Sequence, residues 1–136
     1  MADLSGTAAN GQPGTGAVIK SGTFGATITA GQSVYLDPND NKFKAFDANL
    51  SATAGTLYGV ALNGGANGQP ANVIVGGNYN PGATVAVGTI YVGSATAGGI
   101  CPAADLATGH YTNVLGVATT ASNIAVNIQA SGVAVP

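Results

Sequence analysis

The sequence predicts an all-β protein, a compact sandwich or small barrel built from two similar hairpin units with an extended N-terminal arm. Three observations predict it. Gly supplies 22 of the 136 residues, and much of the remainder is Ala, Val, Thr, Asn and Ser, a mixture that disfavours helices and suits short strands joined by tight turns. From Ala17 onward, short runs rich in β-branched and aromatic residues recur between turn signals. The order of those runs in the first half is echoed in the second.

Residues 1–16 contain Leu4 as their only sizeable apolar side chain, too little to bury against a core, and are read as a flexible arm. The β domain is expected over 17–136. Residues 17–20 and 25–29 are its first two candidate strands, and the turn at Ala30-Gly31 leads into a third at 33–37. There the clearest hairpin begins, because Pro38 fixes its backbone angle and Asn39, Asp40 and Asn41 supply side-chain caps. On its second arm Lys42 and Lys44 alternate with Phe43 and Ala45, giving one wet face. A second hairpin joins 57–62, through a Gly- and Asn-rich loop ending in Pro70, to the apolar strand 71–75. Gly76 to Gly82 reads as a connector.

The second half repeats this grammar. Val87-Gly88-Thr89-Ile90-Tyr91-Val92 echoes Ala30-Gly31-Gln32-Ser33-Val34-Tyr35-Leu36 with a one-residue gap, and Val114-Leu115-Gly116-Val117-Ala118 echoes Leu57-Tyr58-Gly59-Val60-Ala61. Tyr35 and Tyr91 lie 56 positions apart, Gly59 and Gly116 lie 57 apart. Two features at nearly one offset predict an internal repeat, about 24–78 and 83–130. Each unit is too small to hide its own apolar face, so the two are expected to pack together. Gly59 and Gly116 sit in mid-strand, where glycine marks a bulge or a close backbone approach; equivalent placement favours the bulge.

Charge is scarce. Only 6% of residues are charged, as three Lys and five Asp with neither Arg nor Glu, against about 25% in a typical soluble domain. Three scattered Lys and a net charge of −2 argue against a nucleic-acid partner, which needs clustered cations. No apolar run approaches the ~20 residues of a membrane-spanning helix, so the expectation is a soluble chain with no membrane partner. The first residues lack the basic start and apolar stretch of a secretory signal, which predicts synthesis in the cytoplasm. Asn49-Leu50-Ser51, formally a glycosylation sequon, is then a loop. One cysteine, Cys101, cannot close an intramolecular disulfide.

The inventory for catalysis is thin. Cys101, Asp105 and His110 have the order of a thiol nucleophile and its base, but residue types alone do not make such a site, and a packed Cys101 with a turn His110 is the better reading. They offer too few ligands for zinc. Asp37, Asp40 and Asp47 with Asn39 and Asn41 resemble calcium ligands, yet Lys42 and Ala48 stand where the calcium loop wants Gly and Glu, so turn capping is favoured. The Gly-rich stretches 11–16 and 64–68 open no helix and are turns or linkers. No metal, cofactor or catalytic residue is expected. Tyr35, Tyr58, Tyr79, Tyr91 and Tyr111 carry most of the aromatic area; for each, core and interface are about equally favoured, and together with Leu4 they are the candidate interface residues.

The module Thr29-Ala30-Gly31-Gln32-Ser33-Val34-Tyr35-Leu36-Asp37, Lys42-Phe43-Lys44-Ala45, Tyr58-Gly59-Val60-Ala61-Leu62 and Gly68-Gln69-Pro70-Ala71-Asn72-Val73-Ile74-Val75, with a second copy of its turn and strands in 86–128, resembles the small head decoration, or capsid cement, proteins of bacteriophages. In the second unit the acidic hairpin is replaced by 93–99, so contacts made by the first hairpin's charges should not recur there. The resemblance implies a non-enzymatic virion protein, made in the host cytoplasm and seated on the outer surface of the capsid. It further implies a homo-oligomer, commonly a trimer and sometimes a dimer, that bridges subunits of the major capsid protein and stiffens the shell. Two other readings are weighed against it: a glycan-binding or fibre-base β domain on a virion surface, and a small hydrolase using Cys101 and His110.

Overall fold

In the computed structural model, which describes residues 12–14, 16–47, 56–81, 85–94, 98–103 and 110–134, the chain is all-β, a curled antiparallel sheet forming a half-barrel. The strands are β1 (Gln12–Pro13), β2 (Val18–Thr23), β3 (Ser33–Asp37), β4 (Lys42–Ala45), β5 (Gly59–Ala61), β6 (Pro70–Asn80), β7 (Ile90–Gly93), β8 (Ile100–Pro102), β9 (Tyr111–Ala118) and β10 (Ile124–Ala134). The main path runs β4-β3-β5-β6-β10-β9-β7-β8, with β1 and β2 paired along the remaining edge of β6. Of the arm expected over 1–16, Gln12 and Pro13 pair with Asn80 and Tyr79. Leu4 lies outside the described residues.

The order is a palindrome of two units, β4-β3-β5-β6 and β8-β7-β9-β10, joined where β6 meets β10. Their hydrogen bonds correspond at a constant offset of 57 positions. Gly31 N–H donates to Ala61 O as Gly88 N–H does to Ala118 O, and Ala61 N–H to Gln32 O as Ala118 N–H does to Thr89 O. The left-handed residues Gly31 and Asn41 find their counterparts in Gly88 and Gly98. The connection between the paired residues Ala118 and Ile124 is six residues shorter than that between Ala61 and Val73, so Val73 and Ile74 correspond to Ile124 and Ala125.

Three sequence expectations are corrected. Val34 pairs with Gly59 and Tyr91 with Gly116, so Tyr91 is the counterpart of Val34 and not of Tyr35, and the one-residue gap disappears. Residues 25–29 make no strand; Phe24 and Ile28 form single bridges to Phe43 and Gly65, and the segment crosses the sheet as a strap. The connector expected from Gly76 is strand through Asn80, because β6 there has partners on both edges.

Gly59 and Gly116 are sites of close approach. A Cβ on Gly59 would strike the carbonyl oxygen of Ile74, and one on Gly116 that of Ala125. A register shift adjoins Gly116, on both β7 and β10, but none adjoins Gly59, so the bulge favoured from sequence is present in the second unit only.

Strand β6 also decides which faces are buried. Val73 belongs to the core cluster of Phe24, Ile28, Val34, Phe43, Ala61 and Ala71, whereas Ile74 belongs to a larger cluster with Val60, Leu115 and Ile124. Strict alternation would return Tyr79, five residues beyond Ile74, to the first cluster; it lies in the second. Gly76 and Gly77 intervene, Gly77 has φ 82°, and the register against β2 slips from Val18↔Gly76 to Ile19↔Ile74. This bulge exchanges the two faces of the sheet between the units. The first unit turns Ser33, Val60 and Ile74 into the curl, while the second turns in Tyr91, Ala118 and Ile124, counterparts of Val34, Ala61 and Val73.

The ends of the curl are fastened to each other. Phe46 N–H donates to Ser33 O (2.9 Å), Gly98 N–H to Phe46 O (2.7 Å), and Ser33 N–H to Gly98 O (2.9 Å). Ser33 Oγ donates to Gly99 O (2.8 Å). The fully buried Asn113 accepts from Leu57 N–H at 3.0 Å, a further bond between the units.

Candidate interaction surface

Each hairpin end is built differently on the same backbone plan. In β3–β4 the carboxylate of Asp37 accepts from Asn39 N–H (2.9 Å) and from Lys44 Nζ (2.7 Å). Asp40 accepts from Lys42 N–H and lies 3.2 Å from the same ammonium. The Lys44 hydrogen bond, then the Asn39 N–H, hold Asp37 below the usual carboxylate range. Asp37, then Asp40, hold Lys44 above the usual ammonium range. These acids cap the turn and share the Lys44 ammonium. Among the described residues no three of His, Cys, Asp and Glu gather.

At the 57-position offset, Asp37 and Lys44 become Ser94 and Cys101 in β7–β8. Cys101 is buried in β8 opposite Val92. His110 is half-buried and Asp105 lies outside the described residues.

The candidate tyrosines divide. Tyr79 and Tyr91 belong to the inner core, which removes them from the surface of the chain: burial pushes the Tyr79 hydroxyl up to about 12, and the Tyr91 hydroxyl accepts from Ala86 N–H at 3.0 Å. Tyr58 is half-buried, its ring centroid 5.1 Å from that of Phe43. Tyr35 and Tyr111 are half-buried. The structure does not gather the five into one patch.

Two surfaces that sequence reasoning did not single out carry the exposed apolar area. The first is the edge strand β2, which has no second strand partner among the described residues and shows Val18 and Ile19 to solvent. An open edge of this kind is a template for another chain's strand. The second is the outer face of the second unit. Ile90, Val117 and Ala125 lie side by side across β7, β9 and β10. With Val114, Gly116, Asn127 and Gln129 they line a groove of about 420 Å³. Its sequence signal is present in retrospect: Ile90-Tyr91-Val92 and Val114 to Ala118 are apolar at consecutive positions, whereas a strand with one wet face alternates.

The electrostatic contrast between the units is complete among described residues. Lys20, Asp37, Asp40, Lys42, Lys44 and Asp47 all precede β5, and no Lys, Arg, Asp or Glu is described from Val85 onward. Comparison of the chain with protein-family models and with curated proteins finds no match to either.

Proposed function

We propose that the chain is a non-enzymatic structural protein that decorates the outer surface of a phage capsid and stabilises it by bridging subunits of the major capsid protein, acting as a homo-oligomer. The observation that carries this reading is the β1–β2 edge, which has no second strand partner among the described residues and shows Val18 and Ile19 to solvent, and so offers strand addition to a neighbouring subunit. Edge pairing supplies main-chain hydrogen bonds and a little apolar burial at each contact. An oligomer that makes several such contacts at once gains avidity without one strong site. Lys20 is the single charge on β2, so the association should depend weakly on salt, in contrast to contacts built on ion pairs.

Electron cryomicroscopy of undecorated heads of the encoding phage, incubated with the purified chain, tests the reading. Ordered density on the outer surface that survives about 0.5 M NaCl is the expected result. Absence of density, or stripping by that salt, overturns it. Clear hits on a sugar array without head binding transfer the chain to the glycan-binding reading.

A further inference from the structure

The three lysines of the chain are not alike. Lys44 is held by Asp37 and Asp40, and Lys42 donates to Asn67 Oδ1 at 3.5 Å. Lys20 stands exposed in the middle of β2 and makes no ion pair among the described residues. Its neighbours on the strand are uncharged: Val18 and Ile19, 48% and 45% exposed, on one side, and Ser21, Gly22 and Thr23 on the other.

The pairing of β6 fixes which way β2 turns its backbone. Leu62 N–H donates to Asn72 O, and Asn72 N–H to Asn63 Oδ1, so Asn72 is turned toward the β5 side and the next residue, Val73, toward β2. Lys20, opposite Val73, therefore bonds inward, while Ile19, Ser21 and Thr23 direct their N–H and C=O groups away from β6. An incoming antiparallel strand bonds to those residues. The residue it sets opposite Lys20 then falls in a non-hydrogen-bonded pair, where Cα atoms stand about 4.5 Å apart and side chains meet most closely. The charge of Lys20 is read at short range.

We infer that Lys20 is the specificity determinant of the β2 edge: it bars a second copy of β2 and admits a strand of another protein that sets Asp or Glu opposite it. An edge with exposed Val18 and Ile19 is otherwise a template for its own copy, and a lysine on such an edge blunts that pairing. Because outward backbone groups alternate, antiparallel pairing of β2 with itself about a two-fold axis must be centred on a residue that faces its own copy. Centred on Lys20, it sets two ammonium groups directly opposite; centred on Ser21, it sets them diagonally on one face. The remaining centres pair three residues of β2 or fewer. Like charges so placed repel, and a carboxylate in the same place is attracted. One exposed ion pair adds selectivity to an edge whose backbone bonds supply the affinity, so the contact stays weakly dependent on salt. The inference deepens the strand-addition reading and rests on it for the partner; the exclusion of a second copy is independent of heads.

Sedimentation of the full chain, of Lys20→Val and of the double variant Lys20→Val/Ser21→Pro tests the exclusion. Lys20→Val is expected to raise the association constant at least tenfold over the native chain. Adding Ser21→Pro, which removes an outward N–H and no bond to β6, is expected to restore the native value. Lys20→Thr follows the same order where Lys20→Val is too insoluble to sediment, and circular dichroism reports that each variant is folded. Undecorated heads of the encoding phage read the other half: Lys20→Glu is expected to lose at least tenfold in affinity and Lys20→Arg to keep it. Association of the neutral variants no tighter than native, association that survives Ser21→Pro, or heads bound equally by Lys20→Glu and the native chain overturns the inference. Heads that ignore the native chain remove decoration instead, and sedimentation then decides the role of Lys20 by itself.

Discussion

The hairpins β3–β4 and β7–β8 share one backbone and differ in what holds them. Asp37, Asp40 and Lys44 tie the first through ion pairs at 2.7 and 3.2 Å. The second has Ser94 N–H donating to Gly99 O and its buried strands Val92 and Cys101. The same division runs through the units: the first has a private core under its strap, while the second shares the inner core and leaves its other face open. A repeated chain can thus keep its hydrogen-bond plan while its side chains divide the labour, one unit closed and charged, the other open and, among its described residues, without a charged side chain.

The sharpest way to break this comparison is at the feature the units share. Gly59→Val and Gly116→Val each force a side chain into a neighbouring carbonyl, and both are expected to cost more than about 4 kcal/mol, enough to prevent accumulation of folded chain. Equal loss at both positions, measured by urea unfolding or soluble yield, is the expected outcome. Tolerance at one alone would show that the units do not use their glycines alike.

Phe24→Ala is the next test, because it empties the strap on the outer face of the first unit. Truncation of a buried Phe costs about 3–5 kcal/mol. Hydrogen exchange should accelerate more in β3 and β4 than in β7 and β8; uniform acceleration would mean that the two clusters open as one.

The smallest effect is electrostatic and confined to one hairpin. Asp37 is lowered in the folded chain, so its stabilisation is full above the ordinary carboxylate value of 3.8 and fades as pH falls through the lower folded value. Lys44 is raised, so its stabilisation is full below 10.5 and fades as pH climbs through the higher folded value. The amide shift of Asn39 should follow the acid limb, with Ser94 and Gly99 unmoved. Parallel movement in both hairpins would contradict a local origin.

The β3–β4 hairpin was legible, since Pro38 and the polar turn residues act within four positions of each other, although the caps come from Asp37 and Asp40. The all-β class was legible for the same reason, as turn chemistry is local. Residues 25–29 were misread as strand because their alternation of small and apolar groups fits a strap docked on Phe43 equally well. The Tyr35–Tyr91 match was a coincidence of composition that the pairing of Val34 and Tyr91 with the two equivalent glycines overrules. Least legible was the open face. That Ile90 and Val117 face outward depends on the flip at Gly76-Gly77, and a pair of glycines in a chain with 22 of them announces nothing by itself.

The bonds among Ser33, Phe46, Gly98 and Gly99 have a mechanical consequence. They join the ends of the curl through a handful of contacts where a fully closed barrel would have a continuous ladder, so the circumference has one weak link. Opening there parts those bonds together with the Leu57–Asn113 bond and the packing of Phe46 in the inner core, and leaves the described strand ladders paired, so strain on the curl loads this clasp before the ladders.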